Sequence, residues 1–136
     1  MAEVDRYVAE DASVRAMTAT LIDDENAKAV ARLLGPVGEK VLADLIAVIR
    51  NVALREQLPL CEIRIQPVRD IEIPQWETVV IIASFESDFD AASRYVREMY
   101  PDIDEQIDRW TPEEQEYYWR VLSLDFEATA TPRDTA

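Results

Sequence analysis

The acidic segment Glu86-Ser87-Asp88-Phe89-Asp90 is the part of the chain whose residue types and spacing come closest to a reactive site. It follows an apolar run that we predict to be a buried strand, and α/β proteins often bind ligands at such strand ends. Its carboxylates, Glu86, Asp88 and Asp90, could hold Mg²⁺ or Ca²⁺ together with water. A structural role explains them equally simply, because acids in the first helical turn offset the helix dipole and Ser87 can cap it. We favour the structural interpretation.

A second acidic run could hold paired carboxylates for acid/base work. It comprises Asp102, Asp104, Glu105, Asp108, Glu113, Glu114 and Glu116. Such chemistry needs two carboxylates that face each other across a cleft with their pKa values driven apart. The spacings Glu105 to Arg109 and Glu116 to Arg120 are instead those of i,i+4 ion pairs on solvated helix faces. We therefore favour an exposed, non-catalytic surface.

The chain contains no histidine, which removes the usual general base and the commonest transition-metal ligand. The single cysteine, Cys61, has no close partner base, so we predict a buried structural thiol. With only two glycines, Gly35 and Gly38, no glycine-rich phosphate loop can form. These features favour a protein that is not an enzyme and needs no cofactor.

The composition is that of one folded domain, because 49% of the 136 residues are hydrophobic. We predict a single domain over residues 1–127 and a disordered tail over 128–136. The formal net charge is −14, with 17 acids and 5 bases in residues 70–136. This balance argues against direct nucleic-acid binding, which needs clustered Lys and Arg. The first residues do not resemble a signal peptide and no run suits a membrane span, so we expect a cytoplasmic protein.

Three helices are predicted in the N-terminal half, over about 3–21, 25–34 and 37–57. Gly35 and Pro36 separate the second from the third, as expected for a helix C-cap followed by an N1 proline. Apolar residues cover more than half of the third helix. They include Val41, Leu45, Val48 and Val52. That helix is either central in the core or shared with another chain, and we expect a homodimer.

The C-terminal half is predicted to contain a β-β-α-(α)-β unit. The first strand runs near Ile63 to Ile73 and should be bent or at an edge because of its prolines. Residues 77–85 form a central strand, followed by a helix over 88–100 that Pro101 stops and a capping-box helix from Pro112. Residues 121–127 read as a last strand, with continuation of the helix as the alternative. The fold class is α+β, with a small, mainly antiparallel sheet and helices on one face.

Aromatic side chains are concentrated among the acids of the C-terminal half. Trp110, Tyr117, Tyr118 and Trp119 lie close together, and the three adjacent ones cannot all face one core. Exposed aromatics are enriched at protein interfaces. We therefore expect an acidic, non-enzymatic interaction or regulatory module whose partner has a basic surface. The alternatives are an Mg²⁺ or Mn²⁺ enzyme using Glu86, Asp88 and Asp90, and a DNA mimic that binds a nucleic-acid-binding protein.

Overall fold

A computed structural model describes residues 19–21, 24–69, 71–73 and 76–129. Their elements follow in the order β1 (Ala19–Leu21), α1 (Asp24–Arg55), β2 (Leu60–Arg69), β3 (Glu77–Phe85), α2 (Phe89–Arg109), α3 (Pro112–Val121) and β4 (Leu122–Ala128). The chain is an α+β protein, as its sequence predicts. No helix among these residues has the length and apolarity that a bilayer crossing requires.

Helix α1 contains the two helices predicted over 25–34 and 37–57, and a break at Gly35 separates them. The predicted break between the two helices is present, because Gly35 leaves the helical conformation with φ of 61° and ψ of −174°. Only glycine adopts this backbone readily, so the helix bends at Gly35 and restarts at Pro36. Helix α1 therefore consists of two helical segments joined by a kink at Gly35, as the sequence predicts.

The N-terminal helix predicted over about 3–21 falls mostly outside the described residues. Its last three residues, Ala19–Leu21, form strand β1 and not a helix. They pair in parallel with β2, with Thr20 opposite Ile63. Pairing to the edge of β2 satisfies backbone groups that a helix end would leave open, and this overrides the weak helical periodicity of the segment.

The sheet has the strand order β1-β2-β3-β4 and is mixed, which corrects the prediction of a mainly antiparallel sheet. Only β2 and β3 are antiparallel, whereas β1 pairs with β2 and β3 pairs with β4 in parallel. The reason is topological. A parallel pair needs a long crossover connection, and α1 on one side and α2 with α3 on the other each provide one.

All three helices cover one face of this sheet. The register places Ile63 opposite Ala83 and Ile65 opposite Ile81, and all four side chains are buried in the same core as the helices. The alternate residues form the other face, where Arg64 Nη2 and Ser84 Oγ donate hydrogen bonds to the Glu127 carboxylate over 2.5 and 2.8 Å. Pro67 lies beyond the part of β2 that pairs with β1, which is the edge position expected for a proline.

Helix α2 continues through Pro101 to Arg109, so the prediction that Pro101 ends it is wrong. Ala92, Val96, Met99, Ile103 and Ile107 form one unbroken buried stripe along the helix. Proline costs one backbone hydrogen bond, but the burial of the stripe on both sides of it holds the helix together.

Helix α3 and strand β4 meet where the sequence predicts. The helix starts with a complete capping box between Thr111 and Glu114 and ends at Val121. Strand β4 runs one residue further than predicted, to Ala128, because the backbone N–H of Thr129 donates to the Phe85 carbonyl over 2.9 Å. Ala128 and Thr129, which the sequence assigns to the tail, therefore belong to the end of the sheet, and residues 130–136 lie outside the described residues.

Candidate interaction surface

The broad apolar side of α1 is used inside the chain itself. Val41, Leu45 and Val52 have no exposed surface, and Val48 is half-buried. The first three side chains are therefore not available to a second chain in this structure. Their number reflects a helix that packs against the sheet, α2 and α3 at once.

Val48 lines a polar groove of about 200 Å³ between α1 and α2. Asp102 and Glu105, from the second acidic run, also line it, but each carries an ion pair. Arg55 Nη1 lies 2.9 Å from Asp102, and Arg109 Nη2 lies 2.5 Å from Glu105. Arg55 holds the pKa of the Asp102 carboxyl below its usual value. Arginines therefore engage both carboxylates, which favours a structural role over acid/base catalysis.

Trp110 is buried and fixes the corner between α2 and α3. Its indole Nε1 donates a hydrogen bond to Asp44 Oδ2 of α1 over 2.8 Å. Lys40 Nζ lies 3.0 Å from the same Asp44 and 3.1 Å from Glu114 of the capping box. Trp110 thus has a structural role in a network that ties the start of α3 to α1.

Tyr117 and Tyr118 are also buried. The Tyr117 hydroxyl donates to the Leu33 carbonyl over 2.9 Å, and burial raises the pKa of Tyr117 to about 12. Burial likewise raises the pKa of Tyr118, and the nearby Tyr100 and Asp104 raise it further. Both tyrosines therefore stay neutral at physiological pH.

Trp119 differs from its three neighbours, because 69% of its surface is exposed. Its ring meets Tyr118 edge-on with centroids 4.9 Å apart. Tyr100 and Asp104 of α2 are near enough to Tyr118 to raise the pKa of its hydroxyl, and both are exposed. The exposed Tyr100, Asp104 and Trp119 thus lie near the buried Tyr118, and we name these four residues the aromatic–acidic surface.

Further carboxylates border the aromatic–acidic surface. Asp108 follows Asp104 by one helical turn on α2, Glu116 precedes Trp119 by one turn on α3, and Glu113 precedes Glu116 by one turn. All three are exposed, and no arginine or lysine within residues 24–69 or 76–129 lies within 4 Å of them as an ion pair. The predicted Glu116 to Arg120 pair is accordingly not formed, whereas the predicted Glu105 to Arg109 pair is.

The candidate metal residues Glu86, Asp88 and Asp90 are exposed at the start of α2. Asp88, and not Ser87 as predicted, is the N-cap residue, with Oδ1 accepting the Ala91 N–H over 2.8 Å. Ser87 Oγ donates instead to the Asp88 carbonyl. Within the described ranges, no three acidic or cysteine side chains converge in a way that could hold a metal ion.

Cys61 is exposed, which corrects the prediction of a buried thiol. The pairing register shifts between Leu60 and Glu62, and this irregularity turns Cys61 outward. Its Sγ donates to the Ser84 carbonyl over 3.2 Å. Partial desolvation and the charge of Glu62 raise the pKa of the thiol, so Cys61 is not an activated nucleophile.

The sequence analysis does not include Tyr100 in a candidate surface, because it predicts that the helix ends at Pro101. The signal was present in the spacing of Tyr100, Asp104 and Asp108, which share one helical stripe once α2 continues.

Comparison of the chain with protein-family models, curated proteins and solved structures finds no match. The functional argument therefore depends on the geometry of the surface alone.

Proposed function

We propose that the chain is an acidic, non-enzymatic protein-interaction module that binds a basic protein surface through the aromatic–acidic surface. The observation that carries this proposal is the 69% exposure of Trp119 beside carboxylates that lack an ion pair in the described ranges. Trp and Tyr are the residues most enriched among those that dominate binding energy. A cytoplasmic location is part of the proposal.

The charges around Trp119 define the chemistry of the partner. Asp104, Asp108, Glu113 and Glu116 present negative charge without a neutralising side chain among the described residues. Arginine or lysine side chains of a partner would satisfy them, and arginine could also stack on the Trp119 ring. Such a field accelerates encounter with a basic surface, and the aromatic contact would then slow dissociation.

The residues that could support catalysis or metal binding are engaged in structural contacts or are not activated. The metal candidate Asp88 is engaged as a helix cap, and the groove carboxylates Asp102 and Glu105 are held by arginines. Cys61 has a raised pKa, and the sequence has no histidine to activate it. We find no observation that favours the metalloenzyme alternative.

The decisive experiment compares capture of partners by the wild-type chain, Trp119→Ser and the matched control Trp76→Ser. Trp76 is also exposed, at 62%, but lies outside the aromatic–acidic surface. The proposal expects a protein with a basic surface that the wild type and Trp76→Ser retain and that Trp119→Ser binds at least about 30-fold more weakly. Binding should also weaken as salt rises from 0.05 to about 0.5 M.

Each other result has a definite meaning. Equal recovery with Trp119→Ser would remove the proposal. A recovered nucleic-acid-binding protein that DNA displaces would favour the DNA-mimic alternative.

A homodimer stays a prediction. It would have to use side chains other than Val41, Leu45 and Val52, and sedimentation of the wild type and Trp119→Ser tests whether Trp119 takes part.

A further inference from the structure

A second feature of the C-terminal half is a cavity of about 340 Å³ where the start of β3 meets the end of α3. Trp76, Glu77, Thr78, Arg120 and Val121 line it. This volume lies within the range of small-molecule sites, which are mainly apolar with a few placed polar groups. The Trp76 ring and the Val121 side chain provide apolar wall, and Arg120 provides a cation.

The charges near this cavity are opposite to those of the chain as a whole. Glu77 Oε2 lies 2.9 Å from Arg32 Nη2 and 3.6 Å from Arg69 Nη2, and these two arginines hold the pKa of Glu77 below its usual value. Arg120 has no ion-paired carboxylate among the residues that the structure describes. Two guanidinium groups therefore flank the Glu77 carboxylate, and with Arg120 the formal charge of these four side chains is positive.

Local charge should outweigh net charge for a ligand inside the cavity. The formal net charge of −14 repels anions at long range. At physiological ionic strength, however, the screening length is about 8 Å, so carboxylates across the molecule contribute little at the cavity. A contact with Arg120 acts at hydrogen-bond distance, where a guanidinium can hold a carboxylate with two parallel bonds.

We propose that this cavity binds a small carboxylate with a flat apolar body. The ring of the ligand packs against Trp76 and Val121, and its carboxylate pairs with Arg120. Arg120 lines the cavity and does not form the i,i+4 pair with Glu116 that the sequence predicts, so its guanidinium is available for the proposed ion pair. This site is separate from the aromatic–acidic surface and is independent of its proposed function.

The test uses indole-3-propionate as the probe and its uncharged amide, indole-3-propionamide, as the matched ligand control. Each is titrated into the ¹⁵N-labelled full chain while the indole N–H signals of the three tryptophans are followed. Trp76→Phe assigns the signal of Trp76. We expect that signal alone to shift, saturating with a Kd below about 1 mM for the carboxylate and roughly tenfold higher for the amide.

Arg120→Gln should weaken binding of the carboxylate roughly tenfold and abolish its advantage over the amide. Arg97→Gln is the control, because Arg97 is an exposed arginine of α2 outside the cavity. It should bind like the wild type. Equal affinity of the wild type for acid and amide, unchanged binding by Arg120→Gln, or no saturation by about 5 mM would each overturn the proposal.

Discussion

Tyr117 of α3 closes directly over Gly38 of α1 and fills the space that a side chain at Gly38 would need. A Cβ atom at Gly38 would lie 2.4 Å from the Tyr117 hydroxyl oxygen and 2.6 Å from the ring carbon that carries it. Neither atom can easily move aside, because the Tyr117 hydroxyl donates a hydrogen bond to the Leu33 carbonyl. Gly38 lies in the first turn of the segment that restarts at Pro36, and the absence of a side chain there lets the tyrosine approach.

Gly38→Ala should accordingly destabilise the protein, although alanine forms helices better than glycine by about 1 kcal/mol. We expect the free energy of unfolding to fall by about 1 to 3 kcal/mol, because overpacking displaces the ring. Urea unfolding measures the effect. In the Gly38→Ala background Tyr117→Leu should cost less than it does alone. A stabilised Gly38→Ala variant would mean that the contact is loose.

The bond from Trp110 to Asp44 predicts a second effect on stability. Asp44→Leu leaves the buried indole N–H without an acceptor, and an orphaned donor costs about 1 to 3 kcal/mol. Asp44→Asn keeps an acceptor oxygen and should cost less. Glu105→Gln is the control, since it breaks only the exposed pair with Arg109, and its effect should stay below about 0.5 kcal/mol. Equal losses from Asp44→Leu and Glu105→Gln would contradict the structural role of Trp110.

These contacts show where sequence reasoning works and where it stops. Local chemistry was sufficient at Gly35, at the Thr111 capping box and at the change from helix to strand after Val121. Each depends on residues a few positions apart. It failed at Pro101, where the loss of one hydrogen bond was weighed without the burial of Met99 and Ile103 on either side.

The candidate site, too, is only partly predictable from local sequence. The sequence indicates that Tyr117, Tyr118 and Trp119 cannot all face one core, and the structure exposes Trp119 alone among them. Which one is exposed depends on contacts distant in sequence, such as that of Tyr117 with Leu33. The parallel pairing of β3 with β4 was missed for the same reason, because strand direction follows from the path of α2 and α3 across the sheet.

The capping box predicts a pH dependence of stability. The Thr111 backbone N–H, followed by Lys40, lowers the pKa of Glu114 in the folded state. A carboxyl with a depressed folded pKa stabilises the fold at pH values above its ordinary pKa of 4.5, and that contribution is lost as the pH falls through the folded pKa. Stability should therefore decline on acidification below about pH 5, and less so in Glu114→Gln.

Urea unfolding of both proteins between about pH 6 and pH 3 measures this difference. Glu116→Gln is the matched control, because it removes one carboxylate from the same helix without altering the capping box. Subtracting its profile isolates the contribution of the Glu114 contacts. If Glu114→Gln and Glu116→Gln have the same pH profile, the capping box and Lys40 do not stabilise the ionised carboxyl.

The opposite local charges at Trp119 and Trp76 predict opposite responses to ionic quenchers of tryptophan fluorescence. Trp119 lies among carboxylates, which attract Cs⁺ and repel I⁻, whereas Trp76 lies beside Arg120 and near the Arg32, Glu77 and Arg69 cluster. Trp110 is buried and should respond little to either ion.

Trp76→Phe and Trp119→Phe each leave one exposed tryptophan. We expect the ratio of iodide to caesium quenching constants to be higher in Trp119→Phe, where Trp76 reports, than in Trp76→Phe, where Trp119 reports. Acrylamide, which is uncharged, is the control for exposure and should quench the two variants to a similar extent, because both indoles are more than half exposed. The difference in the ionic ratio should shrink as KCl is raised, since screening shortens the reach of both fields. An equal ratio in the two variants at low salt would show that neither tryptophan lies in a local field, and both the basic partner and the carboxylate ligand would lose their electrostatic basis.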